Sequence, residues 1–353
     1  MGRGLGEARP DREDGPVTYE AVVLDGPGAW RLEPLGAEPP PPGEVRCRVH
    51  AAGICGSDRE LFDGNRPAGY VRYPLTPGHE WAGTVEAVGE GVDPALAGRK
   101  VVAEGFRNCQ RCERCRAGET SLCTAAYDET GFTRPGAFAS YVTVPARLLH
   151  LLDEEADLSA AALLEPSAVV ASAVLKGAPR PAERIAVVGG GTLGLLAVQL
   201  LAAYSPAELV LVEPRQQRAE QGGRFGATRQ LHPSDAGAEA GRFDLVVETA
   251  GAAHSAALAV SLARRGGRVA LTGIPAPGAA GIDPIALAMQ QTTVYGVFGA
   301  PSEAWSYAVR AFGSGVLDPA PLITHELPLN AYDKAVSLVG SGDPEVGKVL
   351  LRP

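Results

Sequence analysis

The chain has 353 residues, 45% of them hydrophobic and 21% charged, with a net charge of −9. That length allows two domains with sizeable cores, while the acidic balance excludes the basic face that nucleic acid or an anionic membrane would need, so small-molecule partners are expected. No apolar run approaches the ~20 residues of a membrane span, and no charged segment leads into an apolar core at the start, which predicts a cytoplasmic protein.

Residues 1–17 combine Gly, Pro and charge with few large apolar groups, predicting a disordered extension. From Tyr19, short apolar runs alternate with Gly and Pro clusters: Ala21 to Leu24, Glu44 to Val49, Val101 to Ala103, Ala139 to Val144. This grammar predicts a mainly β unit over 18–157. From residue 158, Ala- and Leu-rich helical stretches alternate with short apolar strands at 185–188, 209–212, 244–248, 268–271 and 293–297. Alternation of this kind predicts a doubly wound parallel sheet with right-handed crossovers over 158–299. The tail, 300–353, places a helix from Trp305 to Phe312 among short strands and is expected to return to the first unit.

Two groups of residues have the chemistry of metal ligands. Cys109, Cys112, Cys115 and Cys123 follow the spacing CxxCxxCx7C, and four thiolates close a tetrahedral shell around a structural zinc. An iron–sulfur cluster also uses CxxCxxC, but the Cys-Pro ending of such sites is missing. The second group is Cys55, His79, Glu80 and Glu165, which offers a thiolate, an imidazole and two carboxylates where a catalytic zinc needs three ligands and an open position. Either glutamate can be the third ligand, the other tuning the metal from outside. On extended backbone, Ser57 faces the same cavity as Cys55 and can pass the proton of a substrate hydroxyl to solvent or to the cofactor ribose. Asp58 is expected to orient His79 or its loop.

A nucleotide site is written in Val187 to Gly194. Gly189, Gly191 and Gly194 fill GxGxxG between a strand and the helix Leu195 to Tyr204, and Thr192 and Leu193 complete the turn. Glu213 ends the following strand about 20 residues on, where the ribose hydroxyls bind; its carboxylate repels a 2′-phosphate and favours NAD over NADP. Arg215 and Arg218 stand close by.

In this order, Gly53 to Asp58, Pro77 to Glu80, the four-cysteine lobe, Glu165-Pro166 and the glycine turn resemble the zinc-dependent medium-chain dehydrogenase/reductase family over nearly the whole chain after residue 17. The resemblance implies a GroES-like catalytic domain, a Rossmann domain, one catalytic and one structural zinc, and homodimers or homotetramers joined near Val294 to Phe298. Glu165 stands where classical alcohol dehydrogenases of the family carry a cysteine, so the chain is more similar to the sorbitol, glucose and threonine dehydrogenase branch. A secondary alcohol, polyol, sugar or aminocyclitol converted to a ketone follows as the implied reaction. Tyr73 to Trp81, Gly131 to Ala137, His325-Glu326 and Tyr332 to Ala335 further resemble the 2-deoxy-scyllo-inosamine dehydrogenases. The arginine that sorbitol dehydrogenases carry after the last Rossmann strand is replaced here by Gly296-Val297-Phe298-Gly299-Ala300. Three other readings compete: an L-threonine 3-dehydrogenase-like enzyme, a zinc-free reductase of the same fold, and a nucleotide sensor. The full set Cys55, Ser57, His79 and Glu165 argues against the last two.

Overall fold

The computed structural model describes residues 18–275 and 278–353; the expected extension over 1–17 lies outside them. Two sheets carry the architecture. A seven-stranded sheet runs Ile323–Pro328, Lys348–Arg352, Glu44–Ile54, Glu80–Val88, Lys100–Ala103 and Leu149–Leu151, with Tyr141–Pro145 also paired to Glu44–Ile54. Its pairs are antiparallel except the first, which joins the tail strands in parallel. The chain's last strands therefore complete a sheet begun by its first third.

The second sheet is parallel and six-stranded, in the order Arg229–Leu231, Glu208–Val212, Arg184–Val188, Phe243–Glu248, Ala263–Leu271 and Thr293–Gly296. The order reverses between Arg184–Val188 and Phe243–Glu248, which is the switch point where open α/β sheets bind dinucleotides. The inner strands are apolar at nearly every position because helices cover both faces.

The helix Leu164–Gly177 ties the sheets together. One apolar cluster runs from Ala51, Ala82, Val102 and Leu350 of the first sheet, through Leu164, Ala168 and Val174 of this helix, into Val187, Leu211 and Leu245 of the second. A separate cluster around Val45, Trp81, Phe138 and Tyr332 fills the other face of the first sheet. Burying a large aliphatic side chain contributes ~1.5–3 kcal/mol, so the relative placement of the two sheets is fixed by core packing.

Two local expectations are corrected. The extended backbone stops at Cys55, which is the N-cap of a helix, Gly56–Asp63, and Ser57 sits in its first turn. The cause is Asp58, whose carboxylate accepts the Cys55 amide at 2.8 Å and closes a capping box. The helix after the glycine turn spans Thr192–Ala202 rather than starting at Leu195, because Gly191 is already its N-cap.

Candidate active site

The sulfur of Cys55, a ring nitrogen of His79 and a carboxylate oxygen of Glu80 lie within 4.8 Å of one another. Cys55 comes from the end of Glu44–Ile54 and Glu80 opens the adjacent strand, so neighbouring antiparallel strands bring them together. His79 is buried and its two nitrogens face different partners. Nδ1 is 3.5 Å from Asp58 Oδ1, while Nε2 is 3.5 Å from Ser57 Oγ. The Asp58 side leaves Nε2 as the nitrogen free for a metal. Burial opposes charge on this imidazole, but Asp58, Cys55 and Glu165 outweigh it and raise its pKa.

Both Glu80 oxygens are buried without a hydrogen-bond partner of ordinary geometry, and Oε2 faces the Lys348 ammonium in a buried ion pair. A metal cation fits this set: a soft thiolate, an imidazole oriented by a carboxylate, and an unsatisfied carboxylate oxygen. Burial lowers the pKa of Lys348, but Glu80, Cys55 and Asp58 together raise it above its ordinary value, so it is held as a cation. Glu165, in the first turn of Leu164–Gly177, stands outside the close group. Burial pushes its carboxyl up to about 7, with His79 opposing and Glu80 adding to the shift. Between the two glutamates, the geometry puts Glu80 nearest the thiolate and imidazole.

Three residues near this group escape sequence reasoning: Lys348, Glu129 and Arg66. Glu129 is buried beside Arg66, whose Nη2 lies 3.9 Å away, and it accepts a hydrogen bond from the Tyr127 hydroxyl. Arg66 in turn stacks over Phe132, 3.7 Å from the ring centroid, and Phe132 packs against the His79 ring. Burial pushes Glu129 up to about 8; His79 and Arg66 pull against it and Glu165 adds to it. The one sequence signal for Lys348 is a single cation inside the apolar run Val346 to Leu351.

The structure also brings the four cysteines of the lobe together. All four sulfurs lie within 4.8 Å of one another. Cys112 caps a short helix, Glu113–Arg116, and backbone amides of Cys109, Cys112 and Cys115 donate to Cys123, Cys109 and Cys112 Sγ at 3.3–3.4 Å. Amides of Thr124 and Cys115 bring the Cys112 thiol down to about 5, a thiolate at neutral pH.

At the switch point, Gly189 adopts φ +102° and Gly194 packs so closely on it that a Cβ would lie 1.8 Å from Gly189 O. The helix that follows has Gly191 as its N-cap and no side chain capping Thr192 or Leu193 in its first turn. Glu213 is buried and accepts the Gly190 amide at 2.6 Å; Arg215 donates to it from its backbone N at 3.0 Å and from Nε at 2.6 Å. Burial opposes its charge, yet Arg215 and the Gly190 amide hold its carboxyl below the usual range. Arg218 reaches Gly190 O and Val346 O and so bridges the glycine turn to the tail.

Residues 41–154 match the alcohol dehydrogenase GroES-like domain and residues 192–314 the zinc-binding dehydrogenase domain. A sorbitol dehydrogenase of Bacillus subtilis is 28% identical over 96% of this chain and 98% of its own. An L-threonine 3-dehydrogenase of Streptomyces coelicolor is 32% identical over 92% of this chain and 96% of its own. A solved structure from Sinorhizobium meliloti, of a protein assigned as a zinc-binding dehydrogenase and bound to NADP, aligns with a TM-score of 0.88 at 28% identity, over 96% of this chain and all of that one.

Proposed function

Because the chain belongs to the zinc-dependent medium-chain dehydrogenase family and is an alcohol oxidoreductase that uses NAD(P), we propose that Cys55, His79 and Glu80 hold its catalytic zinc, with Glu165 beside them. We further propose that the four-cysteine lobe holds a structural zinc. The observation that carries the first assignment is the convergence of those three ligand atoms within 4.8 Å, at a buried carboxylate whose Oε1 has no partner.

In the oxidative direction the substrate carbon gives a hydride to nicotinamide C4 and its hydroxyl gives up a proton, leaving a ketone. Zinc, when bound, supplies the Lewis acidity that makes such a hydroxyl acidic near neutral pH. The chain's own residues supply the rest. Asp58 fixes the His79 ring through Nδ1 and the Cys55 loop through its amide. Ser57 Oγ, partly exposed beside His79 Nε2, takes the hydroxyl proton and hands it to solvent or to the cofactor ribose. The amides at Gly191 to Leu193 receive the pyrophosphate, and Glu213 receives the adenosine ribose hydroxyls, which favours NAD over NADP.

The proposed substrate is a polyol, sugar or aminocyclitol bearing a secondary alcohol. The test is nicotinamide absorbance on zinc-replete protein with sorbitol, glucose, inositols, aminocyclitols and threonine, each with NAD and NADP. Turnover of a cyclitol or polyol with NAD supports the reading, and turnover of threonine alone replaces the substrate while keeping the chemistry. We also propose a cytoplasmic protein, no helix among the described residues being long and apolar enough to cross a membrane. We propose a homodimer or homotetramer formed along the edge strand Thr293–Gly296, beside which Ile285, Met289 and Phe298 are exposed. Light scattering on the purified protein tests that assembly.

A further inference from the structure

Lys348 and Glu80 belong to strands that are not neighbours. Lys348 opens Lys348–Arg352 and Glu80 opens Glu80–Val88, with Glu44–Ile54 between them. The side chains meet over Gly53, which pairs with Glu80 on one side and Leu350 on the other. A Cβ at Gly53 would lie 2.3 Å from Glu80 Oε2 and 2.8 Å from Lys348 Cε, so the passage exists because this residue is glycine. Lys348 is 4% exposed and Glu80 1%. A fully buried ammonium is costly to keep, and packing alone would be served by an apolar residue at this position, as it is at Val349, Leu350 and Leu351.

What surrounds the pair explains the cation. Cys55, Glu80, Asp58 and Glu165 crowd four acidic groups around it, Glu80 and Asp58 fully buried and Cys55 and Glu165 partly so. Resting on the assignment of Cys55, His79 and Glu80 as a metal centre, we infer that Lys348 is a positioning residue of that centre: it occupies one oxygen of Glu80, leaves the other to the metal, and sets how tightly the metal is held. Before the ion arrives the ammonium offsets repulsion among the carboxylates. Once the ion is bound it is a like charge at close range, so it weakens binding and limits Glu80 to single-oxygen ligation.

The test uses the full-length protein with its metal exchanged for Co2+, whose visible spectrum reports ligand number and type, and a competing chelator to measure affinity. In K348M, and in K348Q, whose amide still donates to Glu80, the non-thiolate site should bind Co2+ about tenfold or more tightly, a conservative figure for removing a unit charge a few ångströms from a divalent ion. In K348M, where nothing occupies Glu80, the spectrum should also shift as Glu80 offers both oxygens, while the bands of the four-cysteine site stay fixed. K348R, which keeps the charge, should retain wild-type affinity. Unchanged or weaker Co2+ binding in both K348M and K348Q overturns the inference; if K348M fails to fold, K348Q alone decides it. Uptake of one Co2+ per chain by the wild type, with only four-thiolate bands, overturns the metal-centre assignment itself.

Discussion

Asp58 Oδ1 stands 3.5 Å from His79 Nδ1 while Oδ2 accepts the Cys55 amide at 2.8 Å. One buried carboxylate therefore aims two of the three candidate ligands. Asp58→Asn keeps the shape and removes the charge, and should lower affinity for the catalytic metal by about 10–100-fold, the usual effect of losing such an outer partner. Zinc per chain after graded chelation is the measurement, and unchanged retention would show that Asp58 serves only the helix cap.

Removing a ligand should be more severe. Cys55→Ala should lower kcat/KM for alcohol oxidation by about a thousandfold or more, since Lewis-acid assistance is worth several kcal/mol and each ~1.4 kcal/mol is tenfold. Cofactor binding, measured by NADH fluorescence, should stay intact because the glycine turn belongs to the other sheet.

The four-cysteine lobe should report on stability rather than chemistry. Cys112→Ser should release one metal equivalent and lower the melting temperature by ~5 °C or more, because metal binding in such lobes is folding free energy. Calorimetry with metal analysis on the same sample checks both.

Glu213 and the arginine that pairs with it test the proposed preference for NAD. Glu213→Ala should weaken NADH by about tenfold and leave NADPH unchanged or tighter, as the carboxylate no longer holds the ribose or repels a 2′-phosphate. Arg215→Ala should weaken NADPH more than NADH. Equilibrium titrations with both cofactors decide the order.

Glu129 gives a pH signature. Its pKa is near 4.5 in the unfolded chain and raised to about 8 in the fold by burial. Between those values the folded state holds a proton that the unfolded state has lost, so stability falls as pH rises from about 4.5 to about 8 and levels off above. Glu129→Gln removes this titration: denaturant midpoints of the variant and wild type should coincide near pH 4 and diverge in the variant's favour by pH 8.

The parts legible in the sequence are those whose chemistry is local. The four cysteines, the glycine turn and Glu213 each lie within one strand–turn–helix or one loop, so spacing alone identifies them. Cys55, His79 and Glu80 were readable as a set of residue types, but not their ranking: only the pairing of adjacent strands brings Glu80, rather than Glu165, up to the thiolate. The backbone conformation at Ser57 is not legible in Ile54 to Asp58, because the Asp58 capping box starts a helix there. Lys348, Arg66 and Glu129 were invisible because their meaning lies in distant partners: a lysine in an apolar strand is explained by a carboxylate 268 positions earlier (348 − 80).

That separation has a consequence for how the protein is made. During synthesis Cys55, His79 and Glu80 emerge long before Lys348 exists, so the nascent chain passes through a period when its acidic ligands lack their resident cation. The buried Lys348–Glu80 ion pair can therefore form only after nearly the whole chain has been made, which makes it one of the last contacts to close.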